Sequence, residues 1–180
     1  FHDKEQRLAV SSYNSATNQG VVTVYNSNGV AIDNEVKHVR PLKILWHPQK
    51  PILAVVWGSG SVLIWNTINA EKTEHSELAP DGVTITNLAW SQPGGKRLAS
   101  IQDDGVVKSF RANAKAQLQL KPAWEHKIPS GAGAILCRKQ DGASSDLAKM
   151  AVAAVSGEDL FGQLHPSRSM DLTQTVESLG

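Results

Sequence analysis

The nitrogen and sulfur side chains suited to a zinc site are six histidines, His2, His38, His47, His75, His126 and His165, and one cysteine, Cys137. No two histidines stand four residues apart, and no cysteine companion lies at zinc-site spacing, so no metal residues are assigned. His2 and His47 share one further property: each directly follows an aromatic residue, Phe1 or Trp46, and a turn role is expected of both. Asp103-Asp104 offers paired carboxylates for general acid-base work or for a cation. Gly105 follows at once, and Asp-Gly is turn chemistry. Gly58-Ser59-Gly60-Ser61 and Gly131-Ala132-Gly133 are glycine-rich. Neither has the spacing of a phosphate-cradling loop. Cys137 adjoins Ile135 and Leu136, which suits a buried, inert thiol. No Ser-His-Asp or Cys-His set can be assembled. Catalytic, cofactor-binding and metal residues are therefore none, no cofactor is expected, and the protein-binding residues are unknown from sequence.

Composition narrows the class. The chain has 180 residues and 19.4 kDa, of which 41% are hydrophobic and 19% charged. That is enough apolar material for a core and too little charge for wholesale disorder. Eighteen cations against seventeen acids leave a net charge of +1, without the basic footprint of a nucleic-acid binder. The apolar run Met150 to Val155 is six residues, far short of a membrane-spanning helix. A single cysteine forms no internal disulfide and suits a reducing compartment. The chain opens Phe1-His2-Asp3, with neither a start Met nor a signal peptide, as expected of a piece of something longer.

The elements that would position these residues are set by a repeat. Phe1-His2-Asp3, Leu8-Ala9-Val10, Gly20 and Val22 to Asn26 form a first copy. Trp46-His47-Pro48, Leu53-Ala54-Val55, Gly60 and Val62 to Asn66 form a second, and Trp90-Ser91-Gln92-Pro93, Leu98-Ala99-Ser100, Gly105 and Val106 to Phe110 a third. Leu8, Leu53 and Leu98 are spaced 45 and 45 apart. Three copies of about 44 residues have the period of WD40 propeller blades. Within a copy, Lys43 to Trp46 reads as an inner strand stopped by Pro48. Ile52 to Trp57 reads as a strand buried on both faces, and Gly58 to Ser61 as a hairpin turning the chain back into Val62 to Trp65. Asn14 to Gly20 and Asp103-Asp104-Gly105 turn the other two copies. Val36 to Val39 and Ala123 to Lys127 are candidate outer strands. Trp46, Trp57, Trp65 and Trp90 are expected in the blade core, and Trp124 on an outer strand or a partner.

The fold expected is all-β: a WD40 β-propeller of which this chain holds three to four blades of a seven-bladed domain. The partial propeller spans 1–161, with blades at about 1–39, 40–82, 83–127 and 128–161, and the first copy lacks its leading strand. Gly133 to Arg138 would supply one strand of the fourth blade, and Leu147 to Val155 a strand or short helix. Residues 162–180 read as loop or incomplete blade. Each of Leu8, Leu53 and Leu98 should occupy the same inward-facing site of successive blades.

The blades depart from the common WD40 pattern. The Gly-His is not evident, and the Trp-Asp ending is Tyr25-Asn26, Trp65-Asn66 and Phe110-Arg111. Arg40-Pro41-Leu42-Lys43-Ile44-Leu45-Trp46-His47-Pro48 leads into Leu53-Ala54-Val55-Val56-Trp57, Asp104-Gly105-Val106-Val107 marks the next hairpin, and Asp146-Leu147-Ala148-Lys149 precedes Ala154-Val155-Ser156-Gly157-Glu158-Asp159. On these residues the chain resembles the N-terminal WD40 propeller of the one-hundred-and-forty-kilodalton-class subunit of intraflagellar transport complex A, over Phe1 to Phe161. Met150-Ala151-Val152-Ala153 interrupts the last motif relative to that family. The resemblance implies a non-enzymatic scaffold in retrograde ciliary transport and in ciliary entry of membrane proteins. Its partners would be other complex A subunits, complex B, motors and membrane-protein adaptors, with no nucleic acid and no transmembrane segment. Its place would be the cilium or flagellum, the basal body and the cytoplasm. A vesicle-coat propeller of the coatomer kind is the alternative, discriminated by residues 146–159. A propeller enzyme is a third class, for which the loops supply no convergent acidic or histidine set.

Overall fold

The computed structural model describes residues 1–127 and two short strands at 134–137 and 150–153, the latter by their backbone. Three antiparallel sheets follow one another along the chain. The first is three-stranded, in the order β1 (Leu8–Asn14), β2 (Gln19–Tyr25), β3 (Ala31–Lys37). The second is β4 (Pro41–Trp46), β5 (Ile52–Trp57), β6 (Val62–Asn66), β7 (Glu71–His75). The third is β8 (Ile85–Trp90), β9 (Arg97–Gln102), β10 (Val106–Arg111), β11 (Trp124–Lys127). Each sheet is a simple meander from inner to outer strand. β12 (Ala134–Cys137) pairs with β13 (Met150–Ala153) and runs beside β8 and β9. Among the described residues there is no helix.

The registers superimpose. Leu8 pairs with Tyr25, Leu53 with Trp65 and Leu98 with Phe110. The β5–β6 and β9–β10 hairpins turn at Gly60 and Gly105, with φ of 88° and 83°, a left-handed conformation that glycine adopts without the steric penalty of a Cβ. β5 is buried along its whole length, as an apolar run between two sheets requires. Its odd residues, Leu53, Val55 and Trp57, meet Val22 and Val24 of sheet one, with Leu63 and Trp65 beside them. Its even residues, Ile52, Ala54 and Val56, meet Leu88, Trp90, Leu98 and Phe110 of sheet three. The core is thus two seams between successive sheets, which are the blades of a partial propeller.

Three expectations are corrected. Leu8 keeps its repeat register but is 44% exposed, whereas Leu53 and Leu98 are fully buried. Leu8 faces away from sheet two, where no sheet of the described residues covers it. The outer strand of blade one is Ala31–Lys37 and not Val36 to Val39. A polar outer strand, Glu71–His75, closes blade two and carries no apolar signal. The first hairpin is also shorter than expected, since β2 begins at Gln19. Residues 128–133, 138–149 and 154–180 lie outside the described residues, among them Gly131 to Gly133, the pieces 146–149 and 154–159, and His165.

Candidate interaction surface

Two of the chemistry-bearing side chains, His2 and His47, serve turns and seams. His2 and His47 stand at the same position of the repeat, His47 directly after the inner strand β4, and do the same job. The Nδ1 of His47 accepts from the backbone N–H groups of Gln49 and Lys50 at 3.1 and 3.2 Å, and that of His2 accepts from Glu5 at 3.3 Å. Each backbone N–H also closes the turn five residues on, His2 to the Arg7 carbonyl and His47 to that of Ile52. Each ring then leans on the tryptophan ending the next blade's inner strand, His2 on Trp46 at 5.3 Å and His47 on Trp90 at 4.8 Å between centroids. In blade three Ser91 replaces the histidine, and its Oγ accepts from Arg97 at 3.0 Å. Gly95 lies against the His47 imidazole, and a Cβ there would overlap the ring. Burial, with the Lys50 charge adding to it, pulls the His47 pKa down to about 4.

Asparagines build the turns between third and outer strands. Asn26 Oδ1 accepts from Asn28 and Val30, Asn66 Oδ1 from Ile68, and Asn113 Oδ1 from Lys115 and Gln117. Asn26 and Asn66 stand where the common motif has Asp. Cations then tie one blade's turn to the next at this end. Arg7 donates to the Thr67 carbonyl, and Lys50 to that of Ala114.

The outer strands meet as a charge ladder. Lys72 of β7 sits 3.3 Å from Asp33 and 3.2 Å from Glu35 of β3, and its Nζ lies 4.3 Å over the Trp65 ring. Trp65 donates its indole N–H to Asp33 at 3.1 Å. Lys37 pairs with Glu74, holding that carboxyl below its usual range, with help from Ser61. On the inner strands Lys43 of β4 donates to Asn87 of β8. Burial lowers the Lys43 pKa. The ladder and this axial pair were invisible to sequence reasoning. The 44-residue separation of Lys43 and Asn87, one repeat apart, is the signal that could have found the latter.

The family described as IFT140 first beta-propeller matches residues 1–170. The chain belongs to that family. Membership makes it, at the family level, an intraflagellar-transport propeller of the complex A scaffold type, associated with cilia. The match runs past Phe161, where the motif resemblance stops. A chain in a crystal structure of the mitotic checkpoint complex is similar in fold, with a TM-score of 0.57 at 16% identity over 73% of this chain. The matched part is 40% of that chain's length. Its WD40-like architecture agrees with the meander sheets described above.

Within this family frame the remaining candidates fall into place. Asp104 accepts from Val106 N–H at 3.0 Å and serves the turn, while Asp103 accepts from Thr84 N–H at 3.1 Å and ties the turn to the residue just before β8. Trp57, Trp65 and Trp90 are buried in the seams, and Trp46 packs partly buried against one of them. Trp124 is half-buried on β11 opposite Ser109. His75 contacts Glu77 at 2.9 Å. Among the described residues no three His, Cys, Asp or Glu side chains come close enough to share a metal ion. No helix among them is long and apolar enough to cross a membrane. Cys137 lies on β12, and its side chain is outside what is described.

Proposed function

We propose that this chain acts as a non-enzymatic scaffold within intraflagellar transport complex A, in retrograde ciliary transport and in ciliary entry of membrane proteins. Family membership over residues 1–170 is the observation that carries this reading. The geometry supports it: His2, His47, Asp103, Asp104 and Asp33 serve turns and blade seams, while blade ends and edges are left to dock partners. Those partners are other complex A subunits, with complex B, motors and membrane-protein adaptors beyond them, at the cilium, the basal body and in the cytoplasm. We assign the blades to 1–39, 40–82, 83–127 and 128–161, with 162–180 as loop or incomplete blade.

Co-purification of the complex from cells is the test. Trp65→Ala empties the seam between blades one and two at a cost of about 3–5 kcal/mol, much of a domain's usual margin of roughly 5–15. It should deplete the assembled complex. Asp104→Ala removes only a turn acceptor and should leave assembly near normal. Full assembly with Trp65→Ala, together with loss of a catalytic turnover in Asp104→Ala, would overturn the scaffold reading.

A further inference from the structure

The two ends of the blades differ in charge. One end carries the turns after the inner and third strands. In blade three those connections, 91–97 and 111–123, hold five cationic side chains and no carboxylate. Arg97 and Arg111 stand directly opposite each other in the β9–β10 register, a like-charge pair that costs stability and that an anion relieves. Lys115 and Lys121 follow in the same connection, both exposed. At the other end the turns bear Glu77, Asp81, Asp103 and Asp104 against Arg40. Among the described residues the two ends are therefore oppositely charged, although the whole chain carries a net charge of only +1. The cationic end is no part of the repeat. In blade one Lys4 and Arg7 are offset there by Asp3 and Glu5, and blade two supplies Lys50 alone to its own 47–51 turn.

A second observation comes from the same end. The turns between third and outer strands each present a large apolar side chain to solvent: Val30 at 57%, Ile68 at 56% and Leu120 at 50% exposure. None belongs to either core cluster of the described residues. The cavities described at this end are lined by residues of blades one and two with Gln92, and by none of Arg97, Arg111, Lys115 or Lys121. An acidic peptide is held by a groove, a sheet edge or a pocket of clustered arginines, and none of those cavities gathers these cations. Protruding apolar tips on adjacent blades, set beside ungrooved cations, suit a broad anionic surface with an apolar interior.

We propose that this end of the blades docks on an anionic lipid bilayer. Arg97, Arg111, Lys115 and Lys121 meet the headgroups, while Leu120, Ile68 and Val30 enter the interface. Cations near such a surface gain from its negative potential, and apolar side chains gain from burial at the acyl boundary. The inference does not depend on complex A membership, and either can fail without the other.

The test is co-sedimentation of the full-length protein with vesicles of phosphatidylcholine alone or with about one-fifth phosphatidylserine. Phosphatidylserine should strengthen binding, and high salt should weaken it. Lys115→Gln and Lys121→Gln should weaken it about fivefold for each cation removed. Leu120→Ser with Ile68→Ser should weaken it at low and high salt alike. Asp103→Asn, at the opposite end, should change nothing, and thermal melts establish that each variant is folded. Equal binding to both vesicles, or folded variants that bind like the parent, would overturn the proposal. So would capture of a polyglutamate peptide that needs Lys115 and Lys121 without any preference for phosphatidylserine vesicles, which would make the partner an acidic protein segment.

Discussion

His47 shows how much work one side chain does in this repeat. Its Nδ1 holds two turn amides, its ring carries Trp90, and Gly95 is small because the imidazole occupies the space beside it. Such a residue must stay neutral to accept those hydrogen bonds, and burial keeps it so, with a pKa of about 4 against an ordinary 6.5. As pH falls through 6.5 the unfolded chain takes up a proton that the folded chain refuses until about pH 4. Stability from this site is therefore complete above pH 6.5 and is lost between there and pH 4, by roughly 3 kcal/mol. His47→Asn retains an acceptor for the turn and has no proton to gain. Denaturant melts across this window should show a flatter pH profile for the variant than for the parent; parallel profiles would exclude His47 as the source. The turn role was readable in sequence from the shared placement of His2 and His47. The ring contact with the following blade was not, because it joins residues about one repeat apart through space.

At the scale of elements, the β3–β7 ladder explains why the outer strands are so polar. Their side chains answer charges on the neighbouring blade as well as facing water. Lys72 touches Asp33, Glu35, the Asn34 carbonyl and the Trp65 ring. Removing it as Lys72→Met should cost about 1 kcal/mol, the scale of a partly exposed ion pair, and the loss should shrink as salt rises. A melt series of parent and variant against ionic strength measures this; a salt-independent difference would place the effect in packing. Glu74 behaves similarly: its lowered pKa adds stability above the ordinary carboxylate range, lost as pH falls through the folded value. The same ladder sets the limit of what sequence patterns reveal. Ile52–Trp57 and the Gly60 and Gly105 hairpins were legible because burial on two faces and a positive φ each restrict residue type. Glu71–His75 was not, since Glu-Lys-Thr-Glu-His has neither apolar alternation nor a turn signal. Its strand state is dictated by β6, to which it is hydrogen-bonded. Blade one's outer strand was misplaced for the same reason.

At the scale of the whole molecule, the side of sheet one that no described sheet covers governs how residues 1–127 behave in isolation. Leu8 and Val10 lie on it beside Tyr25, and Ile32 and Val36 extend the exposed apolar surface. Contiguous exposed apolar area promotes association. Residues 1–127 produced alone should self-associate, and Leu8→Glu with Val10→Lys should shift sedimentation toward monomer while leaving the melting temperature nearly unchanged. A parent already monomeric at high concentration would refute this. The inner-to-outer meander of every sheet has another consequence, which concerns time. Each blade closes its hydrogen bonds within a few tens of consecutive residues, and each seam joins only successive blades. Synthesis delivers about 5–20 residues per second, far slower than a hairpin forms. Sheet two can therefore pair its strands while sheet three is still being made, with β5 waiting only for its even-numbered residues to be covered. Folding then advances along the chain in the order of translation, as nearest-neighbour arrays allow, and a ribosome stalled far enough beyond Asn66 for β6 to have left the exit tunnel would already display the Trp65 seam.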